Sequence, residues 1–316
     1  MLSIHLETPQ PAELSDGPSL LRWPNADVMF EGAWKPDWRR RAKYLMRMAM
    51  TVEAREKLLA ECTANEFALL LLKNHPRAFY PLMSHLLDRR FGVERRLEAT
   101  LASVRVIPNL LGDRALDVLA KSGIVLLDLD DGSRLSLSLS GVSFHEGLWQ
   151  VGLHSPTGVR LYSIGFGLSS ASSLLVANVQ GPSLGLDGLE HGRQLTQVAH
   201  GMRPPYLLLH ALKALAQSWQ LRTLVGIDPL HHVKGRWNHR QSRLKFDYRG
   251  FWTDHGGVLE RHGNWALPIL TPRRMLDDVP TKRRAMYRRR YALLDRLEES
   301  ILKLQAGHSC CTLTSN

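Results

Sequence analysis

Three side chains able to move protons stand together after a short apolar stretch of the chain. Asp228 ends the run 222–228, Pro229 follows it, and His231 and His232 come next. Carboxylates and imidazoles act as general bases when they reach a reacting proton, so Asp228, His231 and His232 are candidate bases. A structural interpretation stands beside this one, because aspartate commonly ends a strand in a turn and histidine is commonly a hydrogen-bonded structural group. Adjacent histidines on a strand face opposite ways and match no zinc signature, so we expect no metal.

A second group of candidate residues borders the predicted strand and helix that precede this segment. Gln180 and Gly181 follow a nearly continuous apolar run, and Gly201 and Arg203 precede a long Leu- and Ala-rich stretch. A glycine allows a ligand to approach closely, and an arginine near a helix N-terminus can contact an anion. Arg203 can equally pair with a structural carboxylate, and residues 201–204 can form a simple helix entry. The sequence leaves both interpretations open.

Strand and helix signals place both groups in an α+β fold with a mixed, mainly antiparallel sheet flanked by helices. Alternating or continuous apolar runs predict strands at 124–129, 134–140, 148–153, 159–168, 173–179 and 222–228. An Asp-Asp-Gly turn at 130–132 connects the first two strands. Helical spacing over 189–200 and 206–220 lies between the last two strands, so a right-handed crossover would set those strands side by side.

The sections before and after this core differ from it in composition. We predict an irregular arm over 1–32, a helical section over 33–120, an α/β core over 121–272, a basic helix over 273–305 and a disordered tail over 306–316. Prolines without apolar periodicity indicate the arm, and apolar residues at helical spacing indicate the helical section. Cys62, Cys310 and Cys311 have neither metal-binding spacing nor the number needed for a disulfide framework.

Positive charge is concentrated near the end of the chain. The 316 residues carry a formal net charge of +11, and residues 273–290 hold eight Lys or Arg against two acidic residues. A basic helix can bind an anionic partner, either an anionic lipid surface or nucleic acid, or it can be a solvated face. Tyr287, Tyr291 and Leu294 form an apolar stripe whose spacing favours docking on the rest of the domain.

Apolar runs are short throughout the chain. The 44% hydrophobic content allows a substantial core. Runs such as 69–72 and 207–209 fall far below the roughly 20 residues of a membrane span. The first seven residues have neither the cationic start nor the apolar stretch of a secretory signal. We therefore expect a cytoplasmic protein, either free or peripheral to the inner membrane.

Four short strings occur in a set order along the chain. They are Val179-Gln-Gly-Pro182, Leu195-Thr196 with Gly201-Met-Arg-Pro204, Phe246-Asp-Tyr-Arg-Gly-Phe-Trp252 with Gly256-Gly257, and Lys282-Arg-Arg-Ala-Met-Tyr-Arg-Arg-Arg-Tyr291. In this order they resemble the VirK/YbjX family (domain of unknown function 535). The resemblance implies an association with bacterial virulence and envelope stress, without a defined reaction.

The strand, helix and strand between 173 and 228 are also similar to the core of the GNAT acyltransferases. That resemblance implies acyl transfer from an acyl-coenzyme A or related donor to an unknown acceptor. It implies that Gly201 and Arg203 contact the coenzyme A pyrophosphate at a helix N-terminus. It also implies that Gln180 and Gly181 border the substrate.

The chain departs from the GNAT pattern in two places. The usual Arg/Gln-x-x-Gly-x-Gly/Ala loop is absent, and Pro204 and Pro205 remove two N–H donors where it would lie. Trp252 stands where that family has a tyrosine general acid, and indole cannot donate a proton there, so Tyr248 becomes the candidate acid. The rival hypothesis is a non-catalytic accessory protein that binds an anionic partner through its basic C-terminal helix.

Overall fold

A computed structural model describes residues 21–30, 38–120, 123–141, 143–182, 188–235, 244 and 246–306. Most of the predicted irregular arm and nearly all of the predicted tail lie outside these residues. One turn of helix, α1 (Ala26–Phe30), occupies part of the predicted arm. The Asn25 side chain accepts a hydrogen bond from the Val28 N–H at 3.0 Å, which stabilises the start of this helix.

The predicted N-terminal helical section is confirmed. It contains α2 (Trp38–Met50), α3 (Val52–Ala64), α4 (Glu66–Asn74), a 3₁₀ helix (Pro76–Met83), α5 (Val93–Leu111) and α6 (Arg114–Ala120). Asn65 separates two of these helices because its side chain caps α4, accepting from the Ala68 N–H at 3.0 Å. The tight 3₁₀ geometry lies where the prolines interrupt α-helical spacing.

The predicted mainly antiparallel sheet is also confirmed. Its strands are β1 (Ile124–Asp128), β2 (Arg134–Leu139), β3 (Trp149–His154), β4 (Arg160–Ser170), β5 (Ser173–Gln180), β6 (Thr223–Gly226), β7 (Val258–Leu259) and β8 (Trp265–Leu267). Their order in the described sheet is β1-β2-β3-β4-β5-β6-β8-β7, and β5 with β6 is the parallel pair. The β7–β8 hairpin has no counterpart among the predicted strands.

A helical crossover connects the two parallel strands, as predicted. It consists of α7 (Gly188–Val198) and α8 (Pro204–Ser218). The register runs from Ser173 opposite Thr223 to Val176 opposite Gly226. Almost every residue of β3, β4 and β5 is buried, so both faces of the central sheet are covered. Helix α5 packs on β4, while α8 packs on β3 and β4.

Two helices complete the described chain. Asp247 caps the short α9 (Tyr248–Asp254) by accepting from the Gly250 N–H at 3.1 Å. The long α10 (Thr281–Ala306) packs on α8 and β1. Its predicted docking stripe is confirmed, because Leu294 is buried and Tyr291 donates its hydroxyl hydrogen to the Arg274 carbonyl at 2.7 Å. Among the described helices, none has the length and apolar content to cross a bilayer.

Candidate active site where the parallel strands separate

The parallel strands β5 and β6 separate at their carboxyl ends. The last contact between them is a hydrogen bond from the Ile227 N–H to the Val176 carbonyl at 2.9 Å. Beyond this point β5 continues to Gln180, whereas the chain after β6 turns away into residues 228–235. Polar side chains from several parts of the chain meet at this separation.

Helix α9 fills part of the space between the two strands. The Tyr248 hydroxyl accepts a hydrogen bond from the Val179 N–H at 3.2 Å, in the direction that a longer β6 would have occupied. The Trp252 indole N–H donates to the Ile227 carbonyl at 2.9 Å. A Cβ atom at Gly226 would lie 2.6 Å from the Trp252 ring, so only glycine allows the ring to sit so close to the strand.

A buried carboxylate, imidazole and amide meet beside this separation. His232 is fully buried, and its Nδ1 accepts a hydrogen bond from the Lys234 N–H at 3.0 Å. The neutral ring must therefore carry its hydrogen on Nε2, which lies 3.3 Å from Glu146 Oε1. The other oxygen of Glu146 accepts from Lys234 Nζ at 2.7 Å and from Asn178 Nδ2 at 3.2 Å.

The contact between His232 and Glu146 is close but poorly directed. His232 Nε2 has no well-directed acceptor among the described residues, and a backbone hydrogen bond to Ala177 is the contact that acts to raise the pKa of the ring. A buried N–H of this kind costs about 1–3 kcal/mol when it is unpaired. The imidazole N–H is therefore poorly satisfied beside a carboxylate, an arrangement that a bound ligand or water can complete.

Burial shifts the protonation of both groups toward their neutral forms. Burial lowers the pKa of His232 to about 4, and the charge of Lys234 acts in the same direction. Burial raises the pKa of Glu146, although the hydrogen bond and charge of Lys234 oppose this. A carboxylate with a raised pKa is a better proton acceptor, whereas His232 stays neutral near pH 7.

Asp228 lies close by but in a different environment. Burial raises the pKa of its carboxyl group, but hydrogen bonds outweigh this and hold the pKa below its ordinary value. The donors are Arg249 Nε and Nη2 at 3.1 and 3.2 Å, the Leu230 N–H at 2.9 Å and Trp265 Nε1 at 3.2 Å. Four donors to its two oxygens keep the Asp228 carboxylate ionised. This agrees with the structural interpretation, in which Asp228 ends a strand in a turn.

His231 belongs to a network that joins the N-terminal helical section to the end of β6. Its Nδ1 lies 3.2 Å from Asn264 Oδ1, which also accepts from the Asp228 N–H at 3.1 Å. Asn264 Nδ2 donates to the fully buried Asp88 at 2.9 Å, and Arg90 pairs with Asp88 at 2.6 Å. His231 thus contacts the amide of Asn264, whereas His232 lies beside the carboxylate of Glu146.

Tyr248 is almost fully buried and lies against His232. The two ring centroids are 5.7 Å apart, and burial raises the pKa of the phenol. The ring also belongs to an aromatic cluster with Phe246, Phe251 and Trp252, whose centroids lie 5.0–6.0 Å from one another where they touch. A phenol with a raised pKa keeps its hydrogen and can donate a hydrogen bond.

The predicted cofactor-binding residues fall in two places. Gln180 ends β5, and its buried Oε1 has no hydrogen-bond donor among the described residues. Gly181 follows it beside the ring of Tyr162. Gly201 has a φ of +81° and packs instead against α10, where a Cβ atom would lie 3.0 Å from Arg290 and from Met286.

The N-terminus of α8 offers few free N–H groups. The N–H groups of residues 200, 201 and 202 bond to the carbonyls of residues 197, 196 and 199, and those of residues 206 and 207 both bond to the Arg203 carbonyl. Pro204 and Pro205 have none. Arg290 also donates to the His200 carbonyl through Nε and Nη2. The exposed side chain of Arg203 is thus the principal donor available at this helix start.

Sequence reasoning missed the cluster that the buried Glu146 and Asn178 form with the exposed Lys234. Glu146 ends a 3₁₀ turn (Phe144–Glu146) before Gly147, whose φ of +118° is open mainly to glycine. A Cβ atom at Gly147 would overlap the Phe166 carbonyl oxygen. The Glu-Gly pair was the available signal, but a glutamate before a glycine is too common to indicate a site.

Sequence comparison places this chain in a family whose description names no reaction. The chain belongs to the family described as "Protein of unknown function (DUF535)", which matches residues 34–303. An uncharacterized protein of Haemophilus influenzae is 34% identical over 226 residues, covering 71% of this chain and 76% of that protein. The uncharacterized protein YbjX of Escherichia coli K12 is 23% identical over 283 residues, covering 85% and 86% of the two chains, so the resemblance to the VirK/YbjX family is confirmed.

One relative has a name that refers to a cell compartment. The "Membrane protein LapB" of Mannheimia haemolytica is 28% identical over 218 residues, which cover 68% of this chain and 95% of that protein.

Proposed function

We propose that the protein is a GNAT-like acyltransferase whose proton transfer takes place at Glu146. The observation that carries this proposal is the position of a buried carboxylate, with a raised pKa, where the two parallel strands separate. The donor would be an acyl-coenzyme A or a related thioester, and the acceptor a molecule with an amine or hydroxyl group. The family setting of virulence and envelope stress belongs to the same proposal.

Each step of this reaction has a group near the separation. Glu146 would take the proton from the acceptor nucleophile, which then attacks the thioester carbonyl and displaces the thiolate. Tyr248 accepts the Val179 N–H through its oxygen and would offer its own hydrogen to the departing thiolate as a hydrogen bond, while the proton that Glu146 took would pass to the thiolate and restore the carboxylate. Asn178 and Lys234 would hold the Glu146 carboxylate in place.

All three predicted bases take supporting parts in this scheme. His232, with a pKa lowered to about 4 and its Nδ1 already bonded, would orient Glu146 or bind the substrate through Nε2. Asp228 and His231 would shape the turn after β6. Gln180 and Gly181 would border the acyl group, because they end the strand that carries Asn178.

Recognition of the donor would depend more on side-chain charge than on backbone N–H groups. The start of α8 has few free N–H groups, but the Arg203 side chain is exposed beside Gly201. An arginine makes charge-assisted contacts with phosphate oxygens. Arg203 would therefore supply most of the interaction with the pyrophosphate.

Titration calorimetry with acetyl-, long-chain acyl- and free coenzyme A tests the proposal. We expect saturable binding that Arg203→Ala weakens by about tenfold or more, since the charge-assisted contact is lost. The matched control is Arg222→Ala, which removes another exposed arginine. Glu146→Gln should retain donor binding yet lower turnover by about a hundredfold or more. Failure of all three donors to bind the folded protein would overturn the proposal.

A second candidate function is the binding of an anionic partner through α10. Arg284 and Arg290 donate to backbone carbonyls of the domain. The exposed side chains of Lys282, Arg283 and Arg288, together with the neighbouring Arg289, have no acidic partner within the described ranges. Such a cluster favours phosphate-bearing partners.

Salt dependence distinguishes this candidate from the enzyme. Binding to a nucleic acid duplex should weaken steeply as salt rises, and Arg288→Gln with Arg289→Gln should reduce the salt slope by about two. The control pair Arg296→Gln and Lys303→Gln changes cations of α10 that lie near acidic residues. A salt slope that is the same in both double variants would contradict the α10 assignment.

A further inference from the structure

Helix α2 exposes an apolar face. The exposed fractions are 73% for Trp38, 61% for Leu45, 55% for Met46 and 72% for Met50. At 100° per residue, residues 38, 42, 45, 46 and 49 form one stripe, and Met50 borders it. Residues 42 and 49 are exposed alanines, so the stripe is continuous along the helix.

The opposite face fixes the helix in this orientation. Tyr44 is 1% exposed and its ring lies 5.7 Å from Phe30 and 6.3 Å from Tyr80. Its hydroxyl donates to the Pro24 carbonyl at 2.5 Å and accepts from Trp23 Nε1 at 3.1 Å. Rotation of α2 to bury its apolar stripe would break both hydrogen bonds and the ring contacts. The stripe is therefore exposed because the other face is anchored.

Single exposed apolar residues are ordinary, but a continuous stripe is not. Monomeric proteins seldom expose contiguous apolar patches without a partner. The stripe includes a tryptophan, a residue whose amphipathic ring favours the boundary between water and lipid. These properties indicate a surface that is covered in use.

The charge on α2 indicates which partner covers it. The 13 residues contain five Arg or Lys and no acidic residue. Arg41 pairs with Asp27, and Arg47 donates to the Tyr80 hydroxyl. Arg39 and Lys43 are exposed along one border of the stripe, and the Arg39 guanidinium lies 5.4 Å from the Trp38 ring centre. Apolar residues bordered by cations suit the surface of a bilayer with anionic headgroups.

We propose that α2 binds in the plane of a membrane that contains anionic lipid. Trp38, Leu45 and Met46 would enter the boundary between headgroups and acyl chains, and Arg39 and Lys43 would contact lipid phosphates. A helix of this length measures about 20 Å, too short to span the hydrocarbon core of roughly 30 Å, so it lies flat. The proposal concerns a different surface from the acyl-transfer site and does not rest on it.

Vesicle flotation of the full chain tests this proposal. The probes are phosphatidylcholine vesicles with and without phosphatidylglycerol, at low and at physiological ionic strength. We expect binding to the anionic vesicles alone. Leu45→Gln with Met46→Gln should weaken it by about tenfold or more, because each side chain loses its transfer into lipid. Arg39→Gln with Lys43→Gln should weaken it most at low ionic strength.

The matched control is Arg296→Gln with Lys303→Gln on α10, which removes two cations that lie beside acidic residues and should retain at least half of the binding. All changed side chains are at the surface, so unchanged thermal unfolding should confirm that each variant folds. Three outcomes would overturn the proposal: no binding to anionic vesicles, equal binding by the α2 variants, or loss of binding in the α10 variant alone. If the wild type is a dimer, the Leu45→Gln and Met46→Gln variant is a monomer, and both float equally with vesicles, then a second copy of the chain covers the stripe instead. The same variants are also titrated with coenzyme A. The α2 variants should bind coenzyme A as the wild type does, so a failure of one proposal can be distinguished from a failure of the other.

Discussion

The Tyr248 hydroxyl accepts the Val179 N–H at 3.2 Å, on the side of β5 from which β6 has turned away. A side chain thus replaces the strand partner that this N–H would otherwise lack. The same phenol lies against His232, and its pKa is raised by burial and by the nearby Glu146 carboxylate. One residue therefore supports the separated strands and borders the candidate site.

Removal of this hydroxyl should destabilise the fold. Tyr248→Phe keeps the ring but leaves the Val179 N–H buried without an acceptor, so the free energy of unfolding should fall by about 1–3 kcal/mol. Urea denaturation measures the change. The control is Tyr206→Phe, whose hydroxyl bonds to Asp254 at 2.6 Å in an exposed pair, and its effect should be below about 1 kcal/mol. If the two substitutions lower the free energy of unfolding equally, the buried hydrogen bond to the Val179 N–H contributes no more to stability than the exposed one to Asp254.

Buried histidines should make the protein sensitive to mild acid. Burial lowers the pKa of both His232 and His255 to about 4, whereas an unfolded histidine titrates near its ordinary value of 6.5. Between these values the unfolded chain binds protons that the folded chain does not. The free energy of unfolding therefore has its full value above about pH 6.5. It falls as the pH drops below 6.5, and the loss is complete once the pH has passed through about 4. Urea denaturation at a series of pH values should show this decline.

Replacement of one of these histidines should reduce the decline. His255→Leu removes a titrating group whose Nε2 has no partner among the described residues, so the loss between pH 6.5 and 4.5 should shrink by roughly 2 kcal/mol. His262 is exposed, and His262→Leu should leave the pH profile unchanged. Parallel profiles for wild type and His255→Leu would contradict the assignment.

Lys213 on α8 should also link stability to pH, in the alkaline range. The residue is 4% exposed, its Nζ donates to Thr271 Oγ1 at 2.8 Å, and no carboxylate contacts it within the described part of the chain. Burial lowers its pKa to about 8. Below that pH the folded protein must hold a buried ammonium group, which opposes folding.

Lys213→Met should therefore stabilise the protein at pH 7. We expect a gain of about 1–3 kcal/mol in the free energy of unfolding, which should diminish as the pH rises from 8 toward 10 and the wild-type amine becomes neutral. The measurement is denaturant unfolding of both proteins at each pH. Lys303→Met, at a side chain that is 71% exposed, is the control and should show no such trend. A constant difference between Lys213→Met and wild type would contradict the prediction.

Regular segments of this protein could be predicted from local pattern. The strand expected at 173–179 is Ser173–Gln180, and the helix expected at 206–220 is Pro204–Ser218. Their apolar residues repeat with the period of the element, and each run is long enough to be distinguished from a turn. The pairing of β5 with β6 followed from the helical segments between them, because a helical crossover sets the two strands that it connects side by side and parallel. By contrast, β7 and β8 have two and three residues, too few for a period.

The candidate site was only partly accessible to the same reasoning. Asp228, His231, His232 and Tyr248 were chosen for their chemical types, and they do lie near one another at the end of β6. Their individual partners were not predictable, because only the packed structure distinguishes Asp228, whose carboxylate accepts from four donors, from Glu146, whose carboxylate accepts from two. The pKa of an ionisable side chain depends on its burial, on nearby charges and on its hydrogen bonds, and these are set only when the chain has folded.

The sequence by itself determined the family, the α+β class, the order of the principal strands and helices, and the basic character of α10. These properties depend on composition, on period and on the order of short strings. The tertiary structure alone decided that Lys234 meets Glu146 across 88 positions and that Asn264 meets Asp88 across 176. It also decided that α2 turns its apolar side outward, because Tyr44 is the residue that the domain holds. Such contacts depend on strand register and on which helix face is anchored, and neither is encoded in the neighbours of a residue along the chain.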